Sequence, residues 1–334
     1  MDERTKRGLP PSHVLDIGQF PFFFALHAVE TFNRIIDGLA AENPDRPHLA
    51  MSQVMGALAR RDYAGANAGM ARFRALAPDD PMARMRFGHI PEGPFVALPP
   101  VVGAYPTRPS FFLSCDHVYF GKYCLPMLRS MAATNPGLPV HVHVMGGPAD
   151  AVAEALALNL DLTSTHEDPG AFIAALGIAP NHYYGAARLV RFADALDNTP
   201  GPLWMADVDG LVTGDVRQLL GINAALAMRI RAGRLEPWHQ FSACLVMGSA
   251  ASRPYFRRVA EIVLADLSRA WWGMDQYALF SAAVGLTPAI SLLGPEIAAV
   301  ADQPGLFWFT AGAAKHKLQT GQSAYAAYFR QFGG

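Results

Sequence analysis

The sequence predicts an α/β sheet with parallel strands, preceded by a small all-helical region. Three observations lead there. Apolar residues recur at helical spacing through residues 25–90. Residues 91–109, PEGPFVALPPVVGAYPTRP, hold six prolines and two glycines, which resist both helix and central strand. Beyond them, short apolar strands alternate with helices, the pattern of a parallel sheet. The expected boundaries are a helical domain at 1–95, a linker at 96–109 and an α/β domain at 110–334.

Each element has its own signal. Leu49, Val54, Met55 and Leu58 form one helical stripe, and Tyr63, Ala66, Met70 and Phe73 a second. Asp62 can cap the second helix, and Pro78 follows its end. The run DYAGANAGMARFRALAPDDPMA (62–83) resembles the second helix of a tetratricopeptide repeat with the turn after it. This helical-repeat-like region reads either as a docking surface for a protein partner or as a helical cap on the next domain. Past the linker, Phe111 to Ser114 reads as a strand, Tyr119 to Ala133 as a helix and LPVHVHVM (138–145) as a β-branched strand. A helix over Ala149 to Leu158, a strand over Leu160 to Thr163, a helix over Tyr183 to Leu196 and a strand over Pro202 to Ala206 complete the alternation.

Composition narrows the function. Of 334 residues, 51% are hydrophobic and 16% charged, which excludes disorder along the whole chain. Lys plus Arg number 27 against 28 Asp plus Glu, a net charge of −1, so no cationic surplus exists to hold a nucleic acid. Cys115, Cys124 and Cys244 cannot form a paired framework and read as reduced thiols of a cytoplasmic protein. The apolar run FPFFFALHAV (20–29) is too short for a transmembrane segment, and no signal-peptide pattern precedes it. P-loop, nucleophile-elbow, dinucleotide and zincin signatures are absent from the sequence.

The sharpest chemical signal is PLWMADVDGLVTGD (202–215). An apolar strand runs directly into Asp207-Val208-Asp209. Side chains two apart on extended backbone point the same way, so both carboxylates would project from a strand end, where α/β sheets bind ligands. Repulsion and desolvation would be relieved by a hard cation, Mg²⁺ or Mn²⁺. The competing reading is a turn shaped by Asp209-Gly210. His141 and His143 share a strand face, but no third zinc ligand stands at short spacing.

Five segments stand in an order that resembles the GT-A nucleotide-sugar glycosyltransferases, nearest to the family 8 type: FFLSCDHVYF (111–120), YYGAARLVRFADAL (183–196), the DVD segment, FSACLVMGS (241–249) and Asp275-Gln276. The resemblance spans about residues 110–320. It implies a GT-A-like, Rossmann-type mixed sheet flanked by helices. It places Ser114, Asp116 and Tyr119 near the nucleoside, Arg188 near sugar and diphosphate, and the metal on Asp207 and Asp209. Asp275 and Gln276 would face the donor sugar or acceptor. Two departures stand out. Ser242, Ala243 and Cys244 replace the Asn and Gly common in the FSACL segment. Phe309 occupies the place of a late histidine ligand, so either His316 substitutes for it or the third ligand is absent, and Lys315 would be a diphosphate partner.

The expectation is therefore a metal-dependent hexosyltransferase that uses a nucleotide-sugar donor, most simply UDP-linked, with retention. The acceptor would be a glycan, a lipid or a protein. Two other readings stay open: a transferase fold without catalysis that acts as a scaffold through its helical region, and a nucleotidyltransferase. Asp275 would be the candidate base if the reaction inverts.

Overall fold

The computed structural model describes residues 14–16, 26–108, 110–148, 150–231, 237–300, 304–310, 321 and 323–333. Strand β1 (Val14–Asp16) precedes three helices, α1 (Leu26–Glu42), α2 (Pro47–Ala59) and α3 (Tyr63–Leu76). Asp62 caps α3 as its position predicts, its carboxylate accepting the Gly65 N–H at 2.8 Å.

The α/β part then runs β2 (Phe111–Asp116), α4 (His117–Tyr119), α5 (Leu125–Thr134), β3 (Pro139–Met145), β4 (Asp161–Glu167), α6 (Gly170–Leu176), α7 (Pro180–Asn198) and β5 (Leu203–Ala206). It continues with β6 (Gly210–Val212), β7 (Leu226–Ile230), α8 (Pro237–Gln240), β8 (Phe241–Gly248), α9 (Arg253–Asp266) and α10 (Met274–Leu286). Strands β9 (Ala289–Leu292), β10 (Ala298–Val300) and β11 (Phe307–Phe309) and helix α11 (Ala324–Gln331) close it.

Among the described residues, eight strands form the main sheet in the order β1-β9-β7-β8-β5-β2-β3-β4, and β10-β11-β6 form a small second sheet. Strands β5, β2, β3 and β4 are parallel, as the alternation predicts. Strand β8 runs antiparallel between β5 and β7, so the sheet is mixed. One face packs against α7, α9 and α10 through Phe112, Met205 and Val246. The other packs through Phe111, Leu113 and Trp204 onto α5 and the small sheet.

Two expected helices take other forms. The helix expected over Tyr119 to Ala133 breaks into α4, a π turn at Phe120–Cys124, and α5. Pro126 lacks the N–H that would continue an α-helical ladder, and the wider turn absorbs the gap. Over Ala149 to Leu158 the described backbone makes i→i−3 bonds, Ala153 to Asp150 and Ala155 to Val152, ending in a single 3₁₀ turn at Ala155–Ala157. Strands β2 and β4 both extend further than the sequence pattern indicates, to Asp116 and Glu167.

The helical region shares its core with the α/β region. Phe87 stacks on Trp238 with ring centres 6.1 Å apart and meets Phe280 edge-on at 5.9 Å. Tyr277 Oη donates to the Arg86 carbonyl, and Ser281 Oγ does the same at 2.8 Å. The proline-rich segment lies along β4, where Val102 exchanges two backbone hydrogen bonds with His166, at 2.7 and 3.0 Å.

Candidate functional site

Strand β5 is buried from Leu203 to Ala206 and pairs with β2 on one side and β8 on the other. Its last ladder contact is the Asp207 N–H to the Cys244 carbonyl at 2.8 Å. The chain then turns at Asp209-Gly210 into β6. Gly210 is required there, because a Cβ would lie 2.5 Å from the Phe309 ring. Tyr325 Oη donates to the Asp209 carbonyl at 3.1 Å, which fixes the turn against α11. The packed strand end thus delivers Asp207 to the carboxyl edge of the sheet, with Asp209 just past it.

Asp207 is ion-paired there. Arg188, from α7, donates Nη1 to Asp207 Oδ1 and Nη2 to Asp275 Oδ2, the second at 2.7 Å. The guanidinium bridges two carboxylates that come from different elements. Burial pushes the Asp207 carboxyl up to about 6, and the charges on Asp209 and Asp275 push the same way, against the pull of Arg188. Burial also works against the charge on Arg188, but Asp207 and Asp275 outweigh it and raise its pKa further.

Asp275 stands in the first turn of α10. The N-cap position of that helix is Gly273, held at φ 96°. Asp275 Oδ1 accepts the Gln276 N–H at 2.8 Å. The Gln276 side chain takes a 2.7 Å hydrogen bond from Arg231. Since arginine only donates, the amide must turn Oε1 toward Arg231, which leaves Nε2 as the donor end of the side chain. Trp271 is buried against Tyr277, whereas Trp272 is exposed.

Beside β5, strand β2 ends at Asp116, whose carboxylate accepts the N–H groups of Val118 and Tyr119 at 2.9 and 3.0 Å. That caps α4 and directs Tyr119 outward, where its ring lies 4.7 Å from Tyr123. Ser114 sits two residues before the strand end, buried, its Oγ without a partner among the described residues.

No protein-family model matches the chain, and no curated protein matches it by sequence. Solved structures match it. The galactosyltransferase LgtC, solved with donor and acceptor sugar analogues, superposes with a TM-score of 0.50 at 16% identity, over 66% of this chain and 94% of LgtC. The bifunctional glycosyltransferase WbbM, in its apo structure, gives 0.52 at 12% identity over 70% of this chain. GlyE of Streptococcus pneumoniae TIGR4 gives 0.47 at 13% identity over 67% of this chain. The match spans about half the length of WbbM and three fifths of GlyE. The chain has the GT-A fold.

On this GT-A frame the structure brings Arg188, Asp207, Asp209 and Asp275 into one interacting group, with Gln276 next to it. Ser114, Asp116 and Tyr119 belong to the neighbouring strand and the turn after it. Lys315 and His316 lie outside the described residues. Among the described residues no group of three His, Cys, Asp or Glu is arranged to hold a metal. Phe309 is buried in β11 against Phe307. His141 bonds Thr163 and Thr165 and His143 bonds Thr165, each at 2.9 Å, and burial followed by the neighbouring His143 holds His141 down to about 3. These histidines are packed polar groups of the sheet.

Two sets of residues escaped the sequence reading. Arg229 and Arg231 leave the carboxyl end of β7 at the same sheet edge; the alternation in Arg229-Ile230-Arg231 was their only signal. Behind α7, Glu167 accepts from Tyr183 Oη at 2.8 Å and from Arg191 Nε at 2.8 Å. Burial alone would push Glu167 up, but His143, Arg191 and Tyr183 together hold it below the usual carboxylate range. Nothing local in the sequence pairs residues so far apart.

Proposed function

We propose that this protein is a metal-dependent glycosyltransferase that moves a sugar from a nucleotide-sugar donor, UDP-linked, to an acceptor with retention. The observation that carries the reading is the Arg188 bridge between Asp207 and Asp275, set beside Asp209 at the carboxyl edge of a GT-A sheet. The raised Asp207 carboxyl fits a cation site: burial works against its charge, and Asp209 and Asp275 push the same way. Asp207 and Asp209 offer the hard oxygen donors that Mn²⁺ or Mg²⁺ prefers, and two such ligands leave positions for a diphosphate. When bound, that ion would stabilise the charge of a departing nucleoside diphosphate.

The protein's own groups do the rest. Arg188 presents a planar guanidinium to phosphate oxygens and limits the repulsion between Asp207 and Asp275. The donor end of Gln276 meets a sugar hydroxyl. Asp275 has Oδ2 on Arg188 and Oδ1 on the Gln276 N–H, which suits an orienting role better than that of a free base and so favours retention. The nucleoside would lie toward Ser114, Asp116 and Tyr119. A glycan, lipid or protein hydroxyl fits as acceptor, and the helical region would dock a protein partner.

The test is UDP release from UDP-glucose and UDP-galactose with Mn²⁺. Asp209→Asn is expected to lower turnover by about 100-fold; full activity in that variant would remove the metal role. Phe309 at the late histidine position favours a second reading, a non-catalytic scaffold. Absence of nucleotide binding by calorimetry, with and without Mn²⁺, would select it.

A further inference from the structure

The strand order lays out the crevice as a line. Along the carboxyl edge the strands run β2, β5, β8, β7. Ser114 and Asp116 belong to β2, Asp207 and Asp209 follow β5, and Arg229 and Arg231 end β7. With neighbouring strands about 4.8 Å apart, β7 lies about 10 Å from β5, on the side away from β2. A nucleoside diphosphate sugar laid along this edge, nucleoside at β2 and diphosphate at β5, brings its sugar and the incoming acceptor beside β7.

The charges at that end do not suit a neutral hexose. Arg231 donates to Gln276 Oε1 at 2.7 Å. Arg229 is half-buried, and its Nη1 is sealed from solvent with no hydrogen-bond partner among the described residues. Cys244, between these arginines and Asp207, feels the field of all three. A buried guanidinium N–H without an acceptor is unfavourable, and a ligand carboxylate would satisfy it in the planar, two-point manner that arginine favours. The three nearby aspartates would repel an acidic sugar unless cations stood where the acid group arrives, and two arginines stand there.

We propose that Arg229 and Arg231, with Gln276, form a carboxylate-binding subsite, so that one of the two sugars joined here is a uronic acid. This rests on the glycosyltransferase reading above. The acid could belong to the donor or to the acceptor, and the experiment has an arm for each.

In the donor arm, calorimetry with Mn²⁺ compares UDP, UDP-glucose and UDP-glucuronate. In the acceptor arm, UDP release is compared with methyl glucuronide and methyl glucoside as acceptors. The wild type is expected to prefer the acidic sugar by about tenfold in one arm, and Arg229→Gln and Arg231→Gln should each abolish that preference while UDP affinity stays within about twofold. Arg229→Lys, which keeps the charge and loses the fork, should retain part of it. Equal or stronger use of neutral sugars in both arms would overturn the proposal, as would an acid preference that survives both glutamine variants. Loss of UDP itself in those variants would assign the arginines to the diphosphate instead. A wild type that binds no UDP strikes the glycosyltransferase reading and this inference with it; UDP binding without an acid preference strikes this inference alone.

Discussion

Asp207 answers to one cation and two anions, and its titration reports the balance between them. Its carboxyl sits near 6 in the folded chain against an ordinary 3.8. A carboxyl raised on folding favours the folded state fully below the ordinary value, and that contribution is lost as pH rises through about 6. Without divalent ion, Asp207→Asn, which cannot ionise, should melt above the wild type at pH 8, and the difference should close toward pH 4. Mn²⁺ should raise the melting temperature of the wild type and leave the variant unmoved. An Asn variant that melts lower at pH 8 would show that the Arg188 pair outweighs burial and repulsion. The Asp-x-Asp pair was legible because an apolar strand ran straight into it. The bridge to Asp275 was not, because it joins α7, β5 and α10 across long stretches of sequence and forms only when the sheet assembles.

Helix α7 ties the crevice to the interior. Arg188 reaches the carboxylates at the sheet edge, and Arg191, one turn on, is held by the buried Glu167 together with the Pro99 carbonyl at 2.5 Å. Removing one member of a buried ion pair leaves the other charge uncompensated, at about 3–5 kcal/mol. Glu167→Ala should lose stability of that order in urea unfolding, and a loss below about 1 kcal/mol would show that solvent reaches Arg191. The helix itself was readable within a few residues, because its apolar stripe is long and Pro180 marks its first turn. The 149–158 segment was misread for the opposite reason. It is alanine-rich and helix-prone, but it is short and docks onto the α5 face mainly through Val152 and Ala155, so the tighter 3₁₀ bonds prevail. The antiparallel course of β8 was also hidden, since a continuously buried strand gives no period to read.

For the molecule as a whole, the helical region and the sheet region share one hydrophobic cluster. Asn67 clasps the backbone of Phe87 with two 3.0 Å hydrogen bonds, and the Phe87 ring enters the space between Trp238, Tyr277 and Phe280. Phe87→Ala should cost about 3–5 kcal/mol, with unfolding still a single transition followed by both fluorescence and circular dichroism. Two separated transitions would mean that the helices fold as an independent unit. On the other flank, the pairing of Val102 with His166 has a meaning of its own. Strand β4 is the outermost member of the parallel half, and its outward amide groups would otherwise be open to any passing extended chain. By laying its own proline-studded strap there, the polypeptide occupies that rim with a partner that cannot propagate a ladder. Cutting the strap away would turn an interior contact into an adhesive border, and self-association would follow before any loss of the crevice.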